Sequence, residues 1–313
     1  MGRTIIEDMI MVEVNRFMKT VQQDIENGVK EHNLIKIVNI CVGSIINKML
    51  FGYRFEGETE HEFYYLREIL DNLQAHFANP LSFVMMLMEN PSSVKNVPGF
   101  KQLYNGMLKD FQELKEFLDR QIAWHRKNFA VDGNPESATN FVQAFMMEMH
   151  RREQTGNVGD FTLDQLRNMC FDLWIAGQET TSSTTSFGIL YLTTHPEAQK
   201  KLQDELDRLV GNERQVSLND RPKLPFTNAV CNETQRLCNL IPQNLFHRTT
   251  KDVDINGYKI KKGTTIVPQI SCVLYDDKVT PSNKNQTLEK ENGFGVRPVL
   301  FKCCLERRIP VII

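Results

Sequence analysis

The run Ala176-Gly177-Gln178-Glu179-Thr180-Thr181 sets an alcohol and a carboxylate beside two of the smallest residues. A hydroxyl next to a carboxylate can relay protons in general acid chemistry, and small neighbours leave room for a ligand against the backbone. The run falls inside a helical pattern, which usually avoids such a cluster. Glycine costs about 1 kcal/mol relative to alanine in a helix interior, and a threonine hydroxyl can bond back to the carbonyl four residues earlier. A locally bent or widened turn is expected, with Thr180 facing the interior beside a cavity. The same residues would equally serve a helix that packs closely on a neighbour.

A second pair, Glu233 and Arg236, has the i,i+3 spacing of an ion pair on one helical face. That spacing recurs at Glu13 and Arg16, Glu148 and Arg151, and Glu205 and Arg208, so three of the four pairs are expected to be ordinary surface spacing. Glu233 and Arg236 are expected to lie on one helical face and to be at least partly buried. A lone histidine on a strand, such as His247, is more often a satisfied structural residue than a ligand contact.

Helices must position these groups. Thr162 and Gln165 have the spacing of a capping box ahead of an apolar run, which predicts a long helix from Thr162 to about Thr194. The next helix has Pro196 in its first turn, carries Leu202, Leu206 and Leu209 inward and stops at Gly211. A third follows Pro225 and runs to roughly Cys238. Upstream, Leu103, Met107, Phe111, Leu114, Leu118 and Ile122 form a core-facing stripe. Pro80, Pro91, Pro98 and Asp132-Gly-Asn-Pro135 break the chain into separate helices. Downstream the period changes. Val253 and Ile255, Asn256-Gly257, then Tyr258 and Ile260 read as a hairpin with a type I′ turn. The fold class is therefore mainly α, a multi-helix body with a small β-sheet near the C-terminus. Residues 1–281 are read as one domain and residues 282–313 as a divergent tail without an assignable element.

A chain of 313 residues with 41% hydrophobic content can bury a large core. A formal charge of -2 offers no long-range attraction for nucleic acid or anionic lipid, and the lysines from Lys259 to Lys262 read as solvated. Seven cysteines without a C-x-x-C pair argue against a disulfide framework and against a zinc site. No metal-ligand cluster is expected. The N-terminus carries no apolar run that reads as a signal or a membrane span, so the chain as given is expected to be intracellular and cytoplasmic.

In order, the motifs are the Thr-rich turn, the Glu-x-x-Arg pair, Pro242, Phe246-His247-Arg248-Thr249-Thr250, the hairpin, and Lys262-Gly263-Thr264-Thr265. Thr194-His195-Pro196-Glu197 and Lys223-Leu-Pro-Phe226 add linking turns. Over roughly Phe161 to Lys278 this order resembles the microsomal cytochromes P450, and the region from Arg3 is similar to that family's earlier helices more loosely. The resemblance implies haem as cofactor, small apolar substrates and electrons from an NADPH-dependent reductase. It implies that Thr180 with Glu179 helps deliver protons to dioxygen, and that Ala176 and Gly177 form the distal wall. Glu233 and Arg236 would brace the proximal side, and His247 would touch a haem propionate. The family's usual place is the endoplasmic reticulum membrane.

Departures from the family accompany the matches. Phe246 stands where a proline is common. The family's anchor, proline hinge, first sheet and W-x-x-x-R helix would lie before Met1. The P-E-R-F-like segment, whose Arg locks onto the E-x-x-R pair, and F-x-x-G-x-R-x-C-x-G, which delivers the axial thiolate, find no counterpart after Lys278. Glu233 and Arg236 are therefore expected to lack a third partner, which would leave this part of the chain strained or loosely held. Gly295-Val296-Arg297 is the nearest echo, with Val299 at the cysteine position and Asn292 at the Phe position. Neither Cys303 nor Cys304 is placed for the role. The expectation is a partial family domain with a frameshifted, alternatively spliced or mispredicted ending, unable to complete the haem site. The alternative is a non-catalytic helical protein that binds partners or apolar ligands.

Overall fold

The structure, a computed structural model, describes residues 3–87, 91–129, 137–211, 213–275, 290–291, 297–298, 303 and 305. Helices dominate them: α1 (Arg3–Glu26), α2 (Leu34–Phe51), α3 (Glu60–Ala78), α4 (Pro80–Leu87), α5 (Phe100–Asn128), α6 (Phe141–Gln154), α7 (Leu163–Thr194), α8 (Pro196–Leu209), α9 (Pro225–Cys238) and α10 (Ile270–Leu274). Polar caps set several boundaries. The Asn33 side chain accepts from the Lys36 amide at 3.2 Å, and α2 ends at Gly52 with φ of +85°. Thr162 accepts from the Gln165 amide at 3.2 Å to open α7, while its own amide donates to the Asp160 carbonyl at 2.9 Å. The second and third helices after Thr162 begin at Pro196 and Pro225, as their fixed φ favours.

The core is built around α2, which packs on α1, α6 and α7, while α3 lies along α5. Leu166, Cys170 and Trp174 of α7 enter the same cluster as Leu50, Phe51, Phe63, Leu114 and Phe117. Leu103, Leu114, Leu118 and Ile122 of the α5 stripe are buried, and Phe111 packs at the margin. Of the expected inward residues of α8, Leu209 is exposed. By length and composition α2 could cross a membrane, but 61% of it is buried inside the fold.

His125 of α5 joins this core to the end of α2. Its Nε2 lies 3.0 Å from the Phe51 carbonyl, one of the acceptors a helix leaves unpaired at its C-terminus. The ring is buried, and burial pushes its pKa down although the carbonyl contact pulls the other way. A pKa lower in the folded than in the unfolded state means that unfolding takes up a proton. His125 therefore contributes stability that is complete above the ordinary histidine range of about 6.5 and is lost as the pH falls below it. Urea midpoints should decline from neutral toward mildly acidic pH, and His125→Asn should flatten that decline. An equally steep decline in the variant would assign the effect elsewhere.

The sheet expected near the C-terminus is divided into pairs. β1 (His247–Arg248) runs antiparallel to β4 (Thr265–Ile266), and β2 (Val253–Ile255) pairs with β3 (Tyr258–Ile260). The β2–β3 turn has φ of +53° at Asn256 and +87° at Gly257, which is the type I′ signature. In the tail, β5 (Lys290–Glu291) pairs with β6 (Arg297–Pro298). Cys303 is buried with Val21 and Leu34 and exchanges backbone hydrogen bonds with His32 at 2.9 and 3.3 Å. Asp132 to Pro135, Lys278, Asn292, Gly295, Val296, Val299 and Cys304 lie outside the described residues.

Candidate active site

Helix α7 carries the Thr-rich run past a cavity of about 420 Å³. Its walls come from α3 (Leu70, Leu73, Gln74, Phe77), from α7 (among others Ala176, Glu179 and Thr180) and from Leu240, Ile241 and Leu245 after α9. The expected irregular turn is not formed. The Thr180 hydroxyl does donate to the Ala176 carbonyl, at 2.6 Å, but α7 remains α-helical throughout. Packing against α2 holds the helix regular. Gly177 and Gln178 face that neighbour: a Cβ on Gly177 would sit 2.9 Å from Cδ1 of Ile46. Buried Gln178 donates to the Asn39 carbonyl at 3.0 Å. The small residues thus divide their work, Gly177 allowing close helix packing while exposed Ala176 and half-buried Thr180 lie on the cavity wall.

Glu179 is not a free carboxylate. Arg67 of α3 donates to its Oε2 at 2.7 Å, and the Ser183 hydroxyl donates to Oε1 at 3.3 Å. The other arm of Arg67 donates to Asp71 at 2.9 Å. Sequence reasoning missed Arg67. The available signal was its position, since residues 63, 67, 70 and 74 share one face of α3 and Phe63, Leu70 and Gln74 are buried.

The Glu233 and Arg236 side chains form a two-point ion pair, with Nε to Oε2 at 2.7 Å and Nη2 to Oε1 at 2.5 Å. The side chain of Arg236 is 12% exposed and that of Glu233 43%. The hydrogen bond from the guanidinium holds the Glu233 carboxyl below the usual carboxylate range, against the opposing effect of burial. The expected lack of a third partner is corrected, because Arg236 Nη1 donates to the Leu274 carbonyl of α10 at 3.0 Å. A backbone acceptor is available to any donor that reaches it, and no sequence pattern announces it.

Of the other Glu-x-x-Arg pairs, one is the ordinary surface pair expected and two are not. Glu148 and Arg151 pair on the surface, but Glu13 is 3% exposed and accepts from Arg54 at 2.6 Å. Buried Glu205 accepts from the amides of Phe226 and Thr227 at 2.9 and 2.7 Å, capping the start of α9 and so anchoring the helix that bears the ion pair. His247 is exposed on β1, two residues beyond Leu245 of the cavity wall.

The family model for Cytochrome P450 matches residues 2–283. The chain belongs to the cytochrome P450 family. It is 32% identical to the mouse protein Cytochrome P450 2J5 and 33% identical to the human Cytochrome P450 2J2, each alignment covering 94% of this chain. It is 29% identical to the rabbit Cytochrome P450 2C15 over 91% of its length. The chain spans 56% of the mouse and human relatives and 71% of the rabbit one.

Membership of the cytochrome P450 family implies haem. Ala176 and Thr180 suit one face of a flat apolar ring, both being small and accessible at the cavity wall. The axial sulfur is a different matter. Among the described residues none of the cysteines lines this cavity: Cys41, Cys170, Cys238 and Cys303 are buried elsewhere, and Cys231 and Cys272 are exposed. Burial pushes the thiols of Cys41 and Cys170 up to about 12, so neither is a thiolate at neutral pH. No group of three or more His, Cys, Asp or Glu able to hold a metal occurs among the described residues.

Proposed function

We propose that the protein represented by this chain is a haem-dependent monooxygenase of small apolar organic substrates, supplied with electrons by an NADPH-dependent reductase. The observation that carries the reading is the apolar cavity with Ala176 and Thr180 in its α7 wall. Haem bound through a cysteine sulfur supplies the electron density that favours cleavage of the dioxygen bond. The chain's own residues shelter and orient the reactants. Leu70, Leu73 and Phe77 give an apolar ligand a surface that excludes water, and Thr180 keeps an exchangeable proton on Oγ1 at the cavity wall. Glu179, one residue before it, is the nearby carboxylate. Glu233 and Arg236 brace α9 against α10, and His247 is assigned to a propionate by position in the motif order.

The 313-residue chain is further proposed not to form a thiolate-ligated haem complex, because no described cysteine borders the cavity. Losing a metal's own ligand normally abolishes the chemistry of its site. The same observation, with Glu179 engaged by Arg67, favours a second reading in which this chain binds apolar ligands without catalysis. Haem added to the purified chain, reduced and exposed to carbon monoxide, should give no red-shifted Soret band of thiolate ligation. A band that appears and is then lost in Cys303→Ser or Cys304→Ser would overturn the proposal for this chain.

A further inference from the structure

Two lining residues of the cavity beside α7 are acidic, Asp172 and Glu179, and they differ in surroundings. Asp172 is exposed, so water screens it. The Glu179 side chain is only 22% exposed, and its charge is met by Arg67, itself 16% exposed, across the gap between α7 and α3. Arg67 reaches it from the face of α3 that also carries Leu70 and Gln74 into the cavity. Since Asp71 holds the other arm of the guanidinium, the cation is aimed and not merely nearby.

We propose that Arg67 is a specificity-determining residue of this cavity: by neutralising Glu179 it makes the cavity select uncharged apolar ligands over cationic amines. A half-buried carboxylate without its cation would be a ready partner for an ammonium group on an otherwise apolar ligand, because an opposite charge offsets the cost of keeping it from water. The inference rests on the proposed role of the cavity as the substrate site, but the two can fail separately.

The test uses the full 313-residue chain without haem. Nile red, a neutral apolar fluorophore, reports occupancy and is displaced by butylbenzene, 4-phenylbutylamine or 4-phenylbutyrate. The unaltered chain should bind butylbenzene more tightly than either charged analogue. Arg67→Met should move the preference toward the amine by up to about fivefold, the scale of one charge contact at a part-exposed site. Arg67→Met combined with Glu179→Gln should restore the neutral preference. Arg67→Gln, which can still hydrogen-bond Glu179 but carries no charge, should move the preference toward the amine in the same way, and this keeps the idea testable if Arg67→Met does not fold. Selectivity unchanged in these folded variants, with butylbenzene still bound, would overturn the assignment to Arg67 and leave the cavity reading standing. Failure of the unaltered chain to bind Nile red or butylbenzene would overturn the cavity reading, and the role of Arg67 with it.

Discussion

Trp174→Ala should lower the stability of the chain by about 3–5 kcal/mol, among the largest effects open to a single core truncation. Trp174 is fully buried in the middle of α7, in the cluster that also holds Phe63, Leu114 and Phe117. It lies two residues before Ala176, so the same helical turn supports the core on one side and the cavity on the other. The indole N–H has no hydrogen-bond partner among the described residues, which separates packing from polar effects. Trp174→Phe should therefore cost much less than the alanine variant, since it keeps an aromatic ring and breaks no hydrogen bond. Urea unfolding followed by far-ultraviolet circular dichroism checks both. An alanine variant within about 1 kcal/mol of the parent would mean that the α2, α3, α5 and α7 interface is not packed as described.

Gly43→Val should cost about 3 kcal/mol, the upper part of the usual range for overpacking. Gly43 lies on α2, where an added Cβ would stand 2.6 Å from Cε2 of Phe63 and 3.1 Å from Oε1 of Gln178. The Phe63 ring cannot simply swing away, being buried between Phe55, tilted against it, and Tyr64, edge-on to it, at centroid distances of 5.6 and 5.5 Å. The branched side chain must push α2 away from α3 and α7 together, disturbing the turn that carries Glu179 and Thr180. Phe63→Leu in the same chain should recover part of the loss by making room. If Gly43→Val alone unfolds at the parent's urea concentration, the close approach of α2 to α3 and α7 is not required.

Periodicity and punctuation in the sequence determined the helical body. The apolar stripe of α5, the cap at Thr162, and the prolines at 196 and 225 act within one or two turns of chain, so their consequences can be read locally. The hairpin is equally local, because Asn256-Gly257 can hold two positive φ angles at little cost. Motif order was legible as well, and with it the family that Thr180, Glu233, Arg236 and Lys262-Gly263-Thr264-Thr265 indicate. What each candidate side chain touches was decided only in three dimensions. The charge of Glu179 is met from residue 67, more than a hundred positions away, and Arg236 is completed by a carbonyl on α10. Glu205 turned from a surface pair to a helix cap because the start of α9 folds back beside it. Even the regularity of the Thr-rich turn belongs to its neighbour: the local bond from Thr180 is present as its residue type allows, while α2, packed against Gly177 and Gln178, leaves the helix no space to bend. Ion pairs and caps depend on which donors and acceptors meet across the fold, and spacing along the chain carries no record of that.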